Sequence, residues 1–125
     1  MIFFHTGSKQ KSEQITNLCR NINQESRSLS YGDLSRSLAD ITGFGKLPAL
    51  SDGHRSPVLP IMYSMPDVIL FYQLSDSDLD TFLAQYKKDG IEAIPLKAIV
   101  TPTNIRWTLY ELIEQLAKEA ATPHM

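Results

Sequence analysis

Short apolar runs alternate along this chain with apolar residues at helical spacing, and the alternation predicts four strands. Ile2–His5 and Asp67–Gln73 are compact apolar runs, and the second is apolar on both faces, as in a strand covered by helices on both sides. Ile94–Val100 predicts a further strand, and Arg27–Ser30 predicts a weaker one.

A helix is predicted after each strand, because apolar residues there recur three or four positions apart. Ser75 is expected to cap the third helix, and Thr108 with Glu111 has the spacing of a capping box at the fourth. The segment 31–33 is expected to cap the second helix, which ends at Gly43. The apolar positions of the four helices are Ile15, Leu18, Cys19, Ile22; Leu34, Leu38, Ile41; Leu79, Phe82, Leu83, Tyr86; and Leu109, Leu112, Ile113, Leu116.

This order of elements predicts a single α/β domain over residues 1–125, with a mainly parallel sheet of about four strands and helices on both faces. We expect the strands near 2–5, 67–73 and 94–100 to be mutually parallel. A ferredoxin-like α+β arrangement with antiparallel pairs is the alternative. The chain is a doubled βαβα unit in outline, although its halves show no convincing residue-level repeat.

A long loop is predicted at about 43–66, because glycine and proline interrupt this stretch too often for regular structure. Its centre, 51–57, is expected to be the most mobile internal part. Its end, 58–65, is apolar and is expected to pack on the body of the domain or on a partner.

Composition narrows the function classes. The net charge of −2 gives no general attraction to nucleic acid or to an anionic membrane, and no apolar run approaches the roughly 20 residues of a membrane helix. The N-terminal apolar run is shorter than a signal peptide and lacks its basic start, so we expect a soluble, cytoplasmic protein.

Cysteine and histidine do not indicate a metal or redox site. Cys19 is the single cysteine, which excludes an intrachain disulfide, and its place on an apolar helix face predicts a buried side chain. His5, His54 and His124 lie too far apart for the spacing of a zinc site. We therefore expect neither a metal nor a cofactor.

The corner between the last strand and the last helix concentrates polar side chains. Thr101, Thr103, Asn104 and Arg106 follow the strand directly, where open α/β sheets bind their ligands. Hydroxyls, an amide, a guanidinium and the start of a helix together predict a site for a polar ligand or an anion. The alternative is a turn whose Thr and Asn side chains bond their own backbone.

Two further residues complete the candidate ligand-binding set. Lys97 lies within the last predicted strand and is either a cation for an anionic ligand or a solvated lysine on an edge strand. His5, with Thr6 and Tyr31, lies at the ends of the predicted N-terminal strands. In a parallel sheet these residues would share one edge with the 101–106 corner.

The C-terminal half also contains a combination of residues that helix or strand periodicity does not produce. These residues are Met65-Pro66 to Phe71; Ser75-Asp76, Leu79-Asp80 and Phe82-Leu83; Pro95-Leu-Lys-Ala98; and Thr101-Pro-Thr-Asn104 with Trp107-Thr108. With them, the chain resembles a bacterial family of small proteins of unknown function. The resemblance covers roughly residues 65–118 and implies a cytoplasmic bacterial protein, without a known reaction, cofactor or catalytic residue.

Two functions are expected ahead of a third, an enzyme. The first is a non-enzymatic interaction or regulatory module that binds a protein partner or itself. The second is a small-molecule or anion-binding domain with its site at the carboxyl ends of the strands. No paired acid and base or nucleophile motif indicates an enzyme. An apolar patch without a pocket would favour the first function, and a concave pocket lined by strand-end residues would favour the second.

Overall fold

The computed structural model describes residues 1–43 and 64–121, which form one four-stranded sheet with helices. A short 3-10 helix, Tyr31–Asp33, precedes α2. The elements in chain order are β1 Ile2–His5, α1 Lys9–Asn21, β2 Ser26–Ser28, α2 Leu38–Thr42, β3 Val68–Phe71, α3 Asp76–Lys88, β4 Leu96–Ile99 and α4 Leu109–Ala121. Most of the loop predicted at 43–66, including its centre and most of its apolar end, lies outside the described residues.

The second helix begins later than its apolar spacing predicted. Ser30 and Asp33 form a capping box that holds the intervening residues as a 3-10 helix. Ser37 then caps α2, because its Oγ accepts a hydrogen bond from the Asp40 backbone N–H. Gly43 ends α2 in the left-handed conformation at φ 73°, as predicted.

The sheet has the strand order β2-β1-β3-β4, in which the two βαβ pairs are parallel and the central pair is antiparallel. The predicted α/β class and mainly parallel sheet are therefore confirmed. The expectation that β1 runs parallel to β3 was wrong. A helical crossover dictates the direction within each pair, whereas the long connection between the halves does not, and apolar periodicity is the same in either direction.

Two apolar cores lie on the two faces of the sheet, which confirms helices on both sides. In β3, Val68 and Leu70 join the core under α2 and α4, and Ile69 and Phe71 join the core under α1 and α3. All four residues are buried, so β3 is the interior strand that its sequence predicted. None of the helices in the described part of the chain is long and apolar enough to cross a membrane.

The two halves correspond element by element, although their sequences show no convincing repeat. Ser8 and Ser75 cap α1 and α3, which are both 13 residues long. Each helix is followed by a left-handed residue, Asn23 at φ 60° and Gly90 at φ 67°. Different side chains thus preserve the same backbone conformation in the two halves.

Backbone hydrogen bonds show the same correspondence beyond the helices. The residue after β2 donates to the end of β1 at 2.7 Å, and the residue after β4 donates to the end of β3 at 2.9 Å. The antiparallel register pairs Ile2 with Phe71 and Phe4 with Ile69, about a central pair of Phe3 and Leu70. A pseudo-two-fold axis therefore passes through the central pair, normal to the sheet.

A candidate ligand cavity at the ends of two parallel strands

β3 and β4 create a crevice at their carboxyl ends. The chain leaves β3 for α3 on one face of the sheet and leaves β4 for α4 on the other face. Neighbouring parallel strands that diverge in this way form the switch point at which open α/β sheets bind ligands. A cavity of about 500 Å³ occupies this position.

The cavity is lined mainly by apolar side chains, with a few polar groups among them. Besides the hydroxyl of Tyr72, four lining residues carry polar side-chain ends from the two connections that follow the strands: Gln73 and Asp76 after β3, and Thr101 and Arg106 after β4. The other lining residues are Phe71, Tyr72, Leu74, Leu79, Ile99, Val100, Pro102 and Ile105.

The connection from β3 to α3 makes the first wall. Gln73 adopts φ 55°, a left-handed conformation that is uncommon outside glycine. Two residues later, Ser75 accepts a hydrogen bond from the Asp78 backbone N–H at 3.1 Å and starts α3. The turn therefore sets Asp76, the first residue of α3, at the cavity.

The Thr101–Asn104 corner makes the opposite wall. The Thr101 backbone N–H donates to Asn104 Oδ1 at 2.8 Å, and the Asn104 backbone N–H donates to Thr101 Oγ1 at 3.2 Å. Asn104 Nδ2 donates to the Ile99 carbonyl at 3.1 Å. Asn104 thus builds the corner that brings Ile105 and Arg106 to the cavity.

The first turn of α4 has its backbone donors engaged within the protein. Glu111 N–H donates to Thr108 Oγ1 at 3.1 Å, while Thr108 N–H donates to Glu111 Oε1 at 3.0 Å. Leu109 and Tyr110 donate their N–H groups to carbonyls of the segment before α2, each at 3.0 Å. An anion at this corner would therefore meet side-chain donors rather than these N–H groups.

The structure brings some of the predicted site residues together. Thr101 and Arg106 line the cavity, and Asn104 shapes its wall. Thr103 is exposed in the same corner, outside the lining residues. Lys97 is exposed on β4, an edge strand, which agrees with the alternative of a solvated lysine.

His5 lies at the opposite end of the strands, near the amino end of β3. It pairs with Val68, the first residue of β3, and its Nδ1 lies 3.2 Å from the Pro66 carbonyl oxygen. Since β1 is antiparallel to β3, the carboxyl end of β1 is far from Thr101 along the strands. The expected single site that combined His5 with the 101–106 corner therefore depended on the wrong strand direction.

An internal ion pair lies at the end of the strands where His5 is found. Lys11 Nζ donates to Asp67 Oδ2 at 2.9 Å and to the Ala93 carbonyl at 3.2 Å, and the Gly7 N–H donates to Asp67 Oδ1 at 2.9 Å. Burial opposes ionisation of Asp67, but the hydrogen bonds from Lys11 and Gly7 outweigh it and lower the pKa of Asp67. This cluster ties the start of α1 to the start of β3.

Sequence reasoning missed the contribution of α3 to the cavity. Gln73, in the turn before α3, and Asp76 and Leu79, within α3, line the cavity, whereas the ligand-binding residues predicted from the sequence came from other segments. The available signal was the predicted parallel pairing of β3 and β4, which brings the two carboxyl ends to the same edge. In the described residues, no group of His, Cys, Asp and Glu is arranged to hold a metal ion.

Comparison with known proteins matches one half of the chain. Residues 67–122 match the model of a family described as Domain of unknown function (DUF3783). The matched range contains every described residue that lines the cavity, and it spans slightly less than half of the 125 residues. The match supports the resemblance to a family of unknown function. No curated protein and no solved structure matches the chain.

Proposed function

We propose that this chain is a small-ligand-binding domain whose site is the cavity at the carboxyl ends of β3 and β4. The observation that carries the proposal is a cavity of about 500 Å³ at a switch point of the sheet. Ligand sites of this kind occupy roughly 300–1,000 Å³ and combine an apolar lining with a few polar groups. A concave pocket at the strand ends is the feature that favours the ligand-binding function over the interaction module.

The polar groups in the cavity support binding without catalysis. The Thr101 hydroxyl oxygen accepts from the Asn104 backbone N–H, and this contact does not activate it as a nucleophile. Asp76 lies at the start of α3, where an acidic side chain is favoured by the helix dipole. These groups are suited to orienting a ligand.

Exposed apolar residues support a second candidate function, that of a partner-binding or self-associating module. Ile99 is 53% exposed on edge strand β4, and Leu83 is 40% exposed on α3. Edge strands with exposed apolar residues are available for pairing with another chain. In this second function, a partner covers Ile99 and the mouth of the cavity.

The experiment measures binding of N-phenyl-1-naphthylamine, an uncharged apolar fluorophore. Ile99→Ser and Leu79→Ser each remove an apolar wall of the cavity, and Leu83→Ser is the matched control because Leu83 is apolar and exposed outside the lining. We expect saturable binding that weakens roughly tenfold in the two wall variants and is unchanged in the control.

Either of two outcomes would reject the ligand site: no saturable binding, or equal weakening in all three variants. Analytical ultracentrifugation of the same proteins then tests self-association. Concentration-dependent dimers that disappear in Ile99→Ser would favour the second function. Thermal unfolding of each variant by circular dichroism controls for loss of the fold.

We also propose that the chain is a bacterial cytoplasmic protein. The support is the resemblance of residues 65–118 to a family of small bacterial proteins. Immunodetection in fractionated cells of the source organism tests the location, and recovery outside the cytoplasmic fraction would contradict it.

A further inference from the structure

We infer that the cavity takes a zwitterionic ligand with a large apolar group, of the class formed by apolar amino acids and short apolar peptides. This inference rests on the proposed function and names the ligand of the same site. It follows from the charges that the two walls present.

One acid and one base reach the cavity from opposite faces of the sheet. Asp76 begins α3 on one face, and Arg106 belongs to the corner that leads into α4 on the other. They are the charged residues among the described lining residues. A ligand that carries both an ammonium group and a carboxylate complements both, because the carboxylate of Asp76 accepts from ammonium and a guanidinium donates hydrogen bonds to a carboxylate.

The helix starts disfavour a simple inorganic anion. The first N–H groups of α4 are bonded within the protein, and the first turn of α3 carries Asp76 and Asp78. A phosphate or sulfate would therefore meet Arg106 on one side and negative charge on the other. A zwitterion places its negative group near Arg106 and its positive group near Asp76.

The remainder of the cavity suits an apolar group. Phe71, Leu79, Ile99 and Ile105 contribute aromatic and aliphatic lining. Apolar atoms that move from water onto such a surface contribute roughly 25 cal/mol per Å² buried. A volume of about 500 Å³ accommodates a large side chain together with the charged main-chain groups.

The N-terminal half of the chain, which is related to the C-terminal half by the pseudo-two-fold axis, lacks this combination of residues. Lys9 corresponds to Asp76 as the first residue of its helix, and Ser12 corresponds to Leu79. On edge strand β2, the exposed Ser28 corresponds to Ile99. At equivalent backbone positions, the C-terminal half therefore has an acid and two apolar residues, whereas the N-terminal half has a base and two hydroxyl groups.

Calorimetric titration with three related ligands separates the two charged contacts. L-phenylalanine carries both groups, N-acetyl-L-phenylalanine lacks the ammonium, and L-phenylalaninamide lacks the carboxylate. Asp76→Asn should weaken phenylalanine binding about 10- to 100-fold and leave N-acetylphenylalanine binding unchanged. Arg106→Gln should weaken phenylalanine binding to a similar extent and leave phenylalaninamide binding unchanged.

The dipeptide Phe-Leu distinguishes the two sources of the same chemistry. Tighter binding of Phe-Leu than of phenylalanine assigns the site to peptides, and the reverse assigns it to free amino acids. Fluorophore binding and thermal unfolding of Asp76→Asn and Arg106→Gln show whether the cavity is intact in each variant.

The result that would overturn the inference leaves the proposed function standing. If the fluorophore binds in the cavity but the zwitterion shows no advantage over its two blocked analogues, the ligand class is wrong. Equal weakening of all three ligands by both substitutions would also reject it. If the fluorophore itself does not bind, the proposed function fails first.

Discussion

Ser37 and Thr108 face each other in an antiparallel bridge, and each is the cap of the helix that follows it. The residue after each cap donates its backbone N–H to the residue before the other cap, at 2.8 and 3.0 Å. The starts of α2 and α4 are therefore joined across the pseudo-two-fold axis. Each helix depends on the opposite half of the chain for part of its N-terminal hydrogen bonding.

Replacement of the Thr108 hydroxyl should weaken this junction. Thr108→Val keeps the shape of the side chain but leaves the Glu111 N–H without its cap, and we expect the free energy of unfolding to fall by about 0.5–2 kcal/mol. Urea denaturation measures the change. Thr108→Ser keeps the hydroxyl and is the matched control; if it destabilised the protein as much as Thr108→Val, the cap would not be the cause.

Phe82 should be a main anchor of α3. Its side chain is fully buried, and its ring lies 5.3 Å from the Phe71 ring and 5.8 Å from the Tyr86 ring, between centroids. Phe82→Ala should lower the free energy of unfolding by roughly 3–5 kcal/mol because it empties a packed aromatic site. Leu83→Ala changes an exposed neighbour and should stay within about 0.5 kcal/mol of the parent in the same denaturation experiment.

The Lys11–Asp67 pair should make stability depend on pH. The pKa of Asp67 in the folded protein lies below its ordinary value of 3.8, so the ionised carboxylate stabilises the fold fully above pH 3.8. As the pH falls through the folded-state pKa, this contribution is lost. Asp67→Asn should therefore destabilise the protein by about 1–3 kcal/mol at pH 7, and its difference from the parent should shrink towards pH 2.

A double variant tests whether the buried charge of Lys11 is the cause. The Lys11 side chain is 7% exposed, so Asp67→Asn leaves a buried ammonium without its ionic partner. Lys11→Met combined with Asp67→Asn should recover part of the stability lost in Asp67→Asn alone. Additive losses in chemical denaturation at pH 7 would show that the pair is not coupled.

The Cys19 thiol should be unreactive in the folded protein. Its side chain is fully buried, and burial raises the pKa of Cys19 to about 11, so the thiolate is scarce at pH 8. Reaction with dithiobisnitrobenzoate at pH 8 should be slow in the native protein and rapid in denaturant. Fast labelling under native conditions would show that α1 opens locally without global unfolding.

The sequence alone determined those parts of the fold that depend on residues close together in the chain. The runs that became β1, β3 and β4, the caps at Ser75 and Thr108, and the end of α2 at Gly43 are all set by residues close together in the chain. Local propensity and capping act over a few positions, so the elements that they set can be predicted from the sequence without tertiary structure. The two apolar faces of β3 likewise predicted helices on both sides of the sheet.

The later start of α2 shows where tertiary contacts modified a local pattern. Leu34 lies at helical spacing from Leu38, yet the helix begins only at Leu38. The backbone before Leu38 is engaged by the opposite half of the chain, through the bridge at Ser37. Its partner residues are about seventy positions away, and no local pattern encodes them.

The residues of the candidate cavity likewise fall into a part that the sequence predicted and a part that tertiary structure decided. The sequence alone predicted Thr101 and Arg106 as candidate ligand-binding residues, because polar residues there follow a strand and precede a capped helix. Tertiary structure decided that His5 belongs to the other end of the strands, since side-chain periodicity does not distinguish a parallel from an antiparallel neighbour. It also decided that Asp76 and Arg106 line the same cavity, because the divergence of α3 and α4 to opposite faces opens a crevice at the strand ends.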